Sequence, residues 1–226
     1  MEKGNTKEVL IMSRLIAIMG ESGAGKTTAM RTLPPDQTCY IDADLKGLSW
    51  RGWKQQYNKD KKNYYATDDA NNVLRCMWAV NNSMPHVKYM VIDTANALMV
   101  ADEMRRKDEK NYDKWADLAN AIWTLINDGL TMRDDLTIIF LFHSQTDRDD
   151  SGYYFTRIKT SGRKLDKIVV ESKFTTVLLA KVVDGRHVFE VHADHSTAKT
   201  PLDAFPSDVK EAPNDIMQII KILEDF

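Results

Sequence analysis

Short apolar runs separated by polar turns recur along the chain: Leu15–Met19, Thr38–Ile41, Tyr89–Ile92, Leu136–Phe142, Thr175–Val182 and His187–His192. The first four are apolar nearly throughout, the pattern of parallel strands covered on both faces. The last two alternate more and are split by Asp184-Gly185, a dipeptide suited to the positive φ angles of a hairpin turn. Between the runs, apolar positions recur at helical spacing. Gly25–Leu33 follows the first strand and is ended by Pro34-Pro35. Asp69–Asn82 aligns Ala70, Val73, Leu74, Met77 and Asn81. Trp115–Gly129 aligns Trp115, Leu118, Ile122 and Leu125, with Asp113 as its expected N-cap and Gly129 as its expected stop. Asp215–Phe226 aligns Ile216, Ile219, Ile220 and Leu223, with Asn214 as its expected cap. Strands alternating with helices predict an α/β fold: a mainly parallel sheet flanked by helices, ending in an antiparallel hairpin.

One turn between a strand and a helix carries chemistry. Gly20-Glu21-Ser22-Gly23-Ala24-Gly25-Lys26-Thr27, followed by Thr28, satisfies the phosphate-loop pattern G-x-x-x-x-G-K-[ST], with a strand before it and a helix after. The glycines let backbone N–H groups turn inward onto phosphate oxygens, and the helix start adds partial positive charge. Lys26 reaches the outer phosphates, and the Thr27 hydroxyl is the expected Mg²⁺ ligand. A nucleoside triphosphate and Mg²⁺, read as ATP and Mg²⁺, are therefore the expected cofactors. Tyr89-Met90-Val91-Ile92-Asp93 supplies the second expected metal residue, Asp93, at the end of another apolar run. Thr94 follows it, where many AAA-type ATPases place a water-activating Glu, so the base must come from elsewhere.

Length and composition narrow the setting. The chain has 226 residues, enough for one sizeable core, and we expect an N-terminal tail over 1–13 and a single domain over 14–226. A net charge of −2 does not advertise an anionic partner, so any nucleic-acid site must rest on local charge. Cys39 and Cys76 form no ligand pattern and are expected to be buried thiols of a reducing compartment. No stretch approaches the roughly 18 continuous apolar residues of a membrane span, and the first residues show no secretion signal. A cytoplasmic protein without a membrane partner is expected.

Thr38-Cys39-Tyr40-Ile41-Asp42-Ala43-Asp44 resembles the RecA-like recombinase core, in which the strand after the phosphate loop ends in the catalytic carboxylate. The resemblance assigns that role to Asp44, where the family usually has Glu. Asp42 is the other candidate, and a plain strand cap is the alternative for both. Leu136–Gln145 resembles the strand that ends in a polar γ-phosphate sensor, here His143 or Gln145. More narrowly, the chain looks like the small RecA-like ATPases of bacteriophages, including Sak-type single-strand annealing proteins. That likeness implies a RecA-like P-loop ATPase acting in phage DNA recombination or replication, on single-stranded DNA, and assembled as a ring or filament.

In that family, loops after the metal and sensor strands face DNA. The second begins after Gln145, and its cations include Arg157, Lys159, Arg163 and Lys164, preceded by Tyr153, Tyr154 and Phe155. These cations fit phosphates of a single strand, or reach the nucleotide of a neighbouring subunit. A solvated hairpin rim is the third possibility. The first loop, Ala101–Lys114, balances its charges and reads as a solvated helix face. Ser49–Tyr65 mixes Trp50, Trp53, Tyr57, Tyr64 and Tyr65 with lysines; it fits a strand-binding or subunit-binding surface, or aromatics that pack with only the lysines wet. Two other function classes stay open. A small-molecule or nucleotide kinase would need an Arg-rich lid, for which Arg157–Lys164 is the best substitute. A non-hydrolysing ATP-dependent scaffold would need no base.

Overall fold

A computed structural model describes residues 12–109, 113–160 and 169–226. Strand β1 (Arg14–Gly20) leads through the glycine-rich loop into α1 (Lys26–Ala29), which tightens into a 3₁₀ turn over Met30–Thr32. The helix expected over Gly25–Leu33 is thus shorter and changes type before Pro34. Then come β2 (Thr38–Asp42), α2 (Trp53–Gln56), β3 (Tyr64–Ala66), α3 (Ala70–Ser83) and β4 (Tyr89–Asp93). Next are α4 (Ala95–Arg105), α5 (Asp113–Leu130), β5 (Thr137–Arg148) and β6 (Tyr154–Ile158). The chain finishes with β7 (Thr176–Val183), β8 (Arg186–Glu190), β9 (Glu211–Pro213) and α6 (Ile216–Ile222).

The strands form one sheet in the order β3-β2-β4-β5-β1-β7-β8-β9, with β6 paired to β5 alone. From β3 to β7 every neighbour in this order is parallel; β7–β8, β8–β9 and β5–β6 are antiparallel. Because β5 lies between the phosphate-loop strand and the strand ending in Asp93, the chain has the RecA-like α/β P-loop architecture. The Asp184-Gly185 turn joins β7 to β8 with both residues at positive φ, 51° and 76°.

The continuous apolar runs are explained by burial on both faces. Ala17, Met19, Cys39, Ile41, Met90, Ile92, Ile138 and Phe140 face one core with α3, α4 and α5. Their strand neighbours Ile16, Ile18, Tyr40, Val91, Ile139 and Leu141 face the other, with α1 and α6. Asp69 caps α3, accepting from the Asn71 N–H, and Val73 and Met77 are buried beneath it as the spacing predicts. On α5, Ile122 and Leu125 are buried, whereas the side chains of Asp113, Trp115 and Leu118 lie outside the description. Cys39 is buried and Cys76 half-buried, with their sulfurs 3.6 Å apart.

Several expectations are corrected. Gly129 does not stop α5, which runs to Leu130. The glycine packs inside the helix against Ile138, Leu15 and Met77, at distances that would leave a Cβ in ordinary contact with all three. Ser13, just before β1, is buried and donates its hydroxyl to the Gly129 carbonyl. The cap of α6 is Asp215, which accepts from the N–H groups of Met217 and Gln218, rather than Asn214. Strand β5 does not end at Phe142. Its polar continuation pairs with β6 as a hairpin, one of the three possibilities for the segment after Gln145, and carries no hydrophobic signal because the hairpin is not sandwiched between layers.

Candidate nucleotide site

Strand register gathers the candidate residues at the carboxyl edge of the sheet, where α/β folds place their ligands. Gly20 lies beside His143, and Asp42 beside Asp93. Above this edge a cavity of about 290 Å³ is lined by Ser22, Gly23, Gly25, Lys26, Thr27, Thr28, Lys46, Ser49, Asp93, Thr94, His143 and His187. The loop backbone can pass so close only because Gly25 has φ 97°, and a Cβ there would sit 2.9 Å from His187 Nδ1. Of the other loop residues, Ala24 is buried and its carbonyl meets His187 Nδ1 at 3.1 Å, while the Gly20 and Glu21 carbonyls accept from Lys26 Nζ at 2.7 and 2.8 Å.

Lys26 is 6% exposed, and burial brings its ammonium down to about 8, against the raising influence of Asp93. With only two carbonyls to replace water, the charge is held at a disadvantage that an anion in the cavity would relieve. Asp93 is buried. Its Oδ2 accepts from Thr27 Oγ1 at 2.7 Å and from the phenol of Tyr40 at 2.7 Å, while its Oδ1 has no partner. Burial raises the Asp93 carboxyl above its ordinary range even though both donors pull it down. A buried carboxylate with one oxygen unsatisfied, beside a hydroxyl, fits a cation. Among the described residues no cluster of three or more His, Cys, Asp or Glu side chains forms a metal site. A hydroxyl beside a single carboxylate suits Mg²⁺, which keeps waters and phosphate oxygens in most of its coordination positions.

Asp44 and Asp42 separate clearly. Asp44 stands half-buried beside the cavity, accepting from Thr94 Oγ1 at 3.0 Å and ion-paired to Lys46. Its charge bears on both Lys26 and His143. Asp42 is buried and turned to structure, accepting from the Gly47 N–H at 2.7 Å and the Tyr64 phenol at 2.6 Å. Of the two sensor candidates, His143 lines the cavity, and burial followed by Lys26 lowers its imidazole pKa, keeping it neutral near pH 7. Gln145 does not line it; its amide donates to the Asp147 carboxylate at 3.1 Å.

Asn96 ties the site to the hairpin. It is buried in the first turn of α4, accepts the His143 N–H at 2.8 Å and donates to the Lys159 carbonyl at 2.8 Å. Asn96→Ala would leave two backbone groups without partners. We expect a loss of about 2–4 kcal/mol of stability in a denaturant titration.

Of the expected DNA or subunit contacts, Arg157 is ion-paired to Asp147, Lys159 is exposed, and Arg163 and Lys164 lie outside the described residues. Tyr153 and Tyr154 are exposed on the hairpin, Tyr153 stacked on His195 at 4.6 Å and Tyr154 beneath Arg148. In Ser49–Tyr65 the aromatics pack: Tyr40, Trp50 and Tyr57 meet edge to face, and Trp53 lies against Tyr64. Sequence reasoning missed Tyr40, Lys46 and His187. A tyrosine in an apolar run reads as core, and neither Lys46 nor His187 belongs to a spaced motif.

Among the described residues no helix is long and apolar enough to cross a membrane. No curated protein matches the chain. A solved structure, the KaiC-like protein PH0186 from the hyperthermophilic archaeon Pyrococcus horikoshii OT3, is similar at 12% identity and a TM-score of 0.45, over 80% of this chain and 81% of that one. The family described as AAA domain matches residues 12–202, a span that holds the phosphate loop, Asp44, Asp93 and His143, and the chain belongs to this family of P-loop ATPases.

Proposed function

We propose that residues 14–226 act as one Mg²⁺-dependent ATPase domain. The observation that carries this is the convergence of buried Lys26 and the Thr27–Asp93 hydrogen bond on one cavity, with half-buried Asp44 held at its wall by Thr94 and Lys46. Thr27 and Asp93 would hold the metal, which when bound neutralises phosphate charge and orients the outer phosphates. Lys26 would leave the Gly20 and Glu21 carbonyls for phosphate oxygens. Water bonds to the γ-phosphorus as the bond to the β,γ-bridging oxygen breaks; the electron pair leaves on ADP and the water's proton passes to Asp44. Neutral His143 is favoured over Gln145 as the γ-phosphate sensor, because it faces the cavity. A second cavity of about 610 Å³ shares Thr28 and His187 with the first and is walled by Arg31, Arg186, Pro213 and Asn214. It offers space for ribose and base.

The partner proposed is single-stranded DNA, in the annealing, recombination or replication role that the likeness to bacteriophage ATPases implies, within a ring or filament of copies of this chain. What supports it is the hairpin continuous with His143, which presents Tyr153, Tyr154 and Arg148 at its tip and Lys159 at its base. Exposed aromatic rings beside cations suit bases and phosphates together. The test is ATP hydrolysis with and without single-stranded DNA, alongside a strand-annealing assay. Hydrolysis stimulated by DNA is the expected result. Phosphate transfer to a small acceptor would show a kinase, and binding without turnover a scaffold; either overturns the proposal.

A further inference from the structure

We infer that Lys46 is a second triphosphate-contacting cation supplied by the same chain, which leaves the Asp44 carboxylate for the terminal phosphate and so frees that carboxylate to receive the proton of water. The inference rests on the triphosphate reading above and adds a residue and a sequence of events to it.

The loop after β2 aims Lys46 into the cavity. Leu45 and Gly47 on either side of it have φ of 58° and 81°, so the chain turns sharply at this residue. The turn is pinned. The Gly47 N–H donates to buried Asp42, and a Cβ on Gly47 would lie 2.8 Å from the Trp53 ring. This explains what buried Asp42 and the Trp53–Tyr64 pair do: they fix the loop that presents Lys46. The cavity wall thus holds two lysines, Lys26 from the phosphate loop and Lys46 from the loop after β2.

Both Asp44 oxygens are engaged, Oδ1 by Thr94 and Oδ2 by Lys46. An ammonium on Oδ2 favours the ionised carboxylate, so Asp44 takes a proton from water more readily once that partner leaves. Thr94 is 1% exposed and its hydroxyl also accepts the Ala97 N–H at the start of α4, so it is fixed. The Lys46 side chain is 52% exposed and rotates on a flexible stem, so it is the partner that moves. Burial alone would lower the Lys46 ammonium, but Asp44, Asp93 and Asp42 together raise it above its ordinary value. It therefore stays charged. A triphosphate in the cavity presents several negative charges against the single one on Asp44, and the lysine follows the greater charge. Arrival of the terminal phosphate would then switch the base on, whereas a diphosphate would leave Lys46 on Asp44.

The test compares Mg²⁺-ADP with a Mg²⁺-bound non-hydrolysable β,γ-imido analogue of ATP, by equilibrium titration of the full chain. Lys46→Met should bind ADP within about twofold of the wild type, which also reports an intact fold, and lose about tenfold of the preference for the triphosphate. Lys46→Arg should keep most of that preference. Turnover by Lys46→Met should fall by about 10- to 1,000-fold. An unchanged triphosphate-to-diphosphate ratio in Lys46→Met, or an equal loss for both nucleotides, overturns the role of Lys46 and leaves the ATPase reading standing. A wild type that binds neither nucleotide overturns both.

Discussion

Lys26→Ala is expected to weaken triphosphate binding by about a hundredfold or more while the protein stays folded. Two charge-assisted hydrogen bonds to phosphate are lost, each worth about 1.5–3 kcal/mol. The fold should survive, because in the absence of nucleotide the buried ammonium is held against its own desolvation, with its pKa lowered to about 8. The sign of the pH dependence follows. The folded value lies below the ordinary 10.5, so the unfolded chain binds the proton more tightly. The full penalty is present below about pH 8, and stability rises as pH climbs from about 8 towards 10.5, by about 3 kcal/mol at most. The alanine variant should lack that slope in denaturant titrations. Nucleotide affinity runs the other way, because phosphate binds the charged lysine. In the wild type it should fall by about tenfold per pH unit above about pH 8. Undiminished binding by Lys26→Ala would refute the nucleotide assignment.

The parts legible in the sequence are those whose physics is local. The parallel strands announced themselves because burial on both faces demands unbroken apolar runs, and the phosphate loop because close backbone approach demands glycine at fixed spacing. The hairpin at Asp184-Gly185 was readable from the turn's own φ requirement. What escaped depends on register and on chain direction after a turn. Tyr40 looks like core until β2 is laid against β4 and its phenol reaches Asp93. The choice between Asp42 and Asp44 turns on two residues of strand end, where only the geometry shows one carboxylate bound to Gly47 and the other beside Lys26. The short strands β3, β6 and β9 carry little hydrophobic signal because each is only partly covered.

The candidate site also shows how one element serves two needs. Thr94 follows Asp93 where a catalytic Glu was sought, and it instead caps α4 and holds Asp44. Asn96, two residues on, grips His143 and Lys159. The strand ending in Asp93, the Asp44 carboxylate and His143 on β5 are thereby joined through one helix start. His143 and Lys159, at the base of the hairpin, thus share one buried side-chain partner.

Asp44→Asn should lower ATP turnover by about 100- to 10,000-fold, the range associated with removing a general base, with triphosphate affinity preserved or slightly improved. The amide keeps an oxygen for Thr94 but cannot take a proton from water. It also removes a negative charge beside Lys26 and His143, so the phosphates meet less repulsion. Single-turnover phosphate release, read beside equilibrium binding, separates these effects. Asp42→Asn is the informative partner, because Asp42 holds Gly47 and Tyr64 rather than facing the cavity. It should loosen the loop that carries Lys46 and so reduce the preference for triphosphate over diphosphate, with a smaller loss of turnover than Asp44→Asn. If Asp44→Asn turns over at the wild-type rate while Asp42→Asn does not, the base has been assigned to the wrong one of the two carboxylates at this strand end.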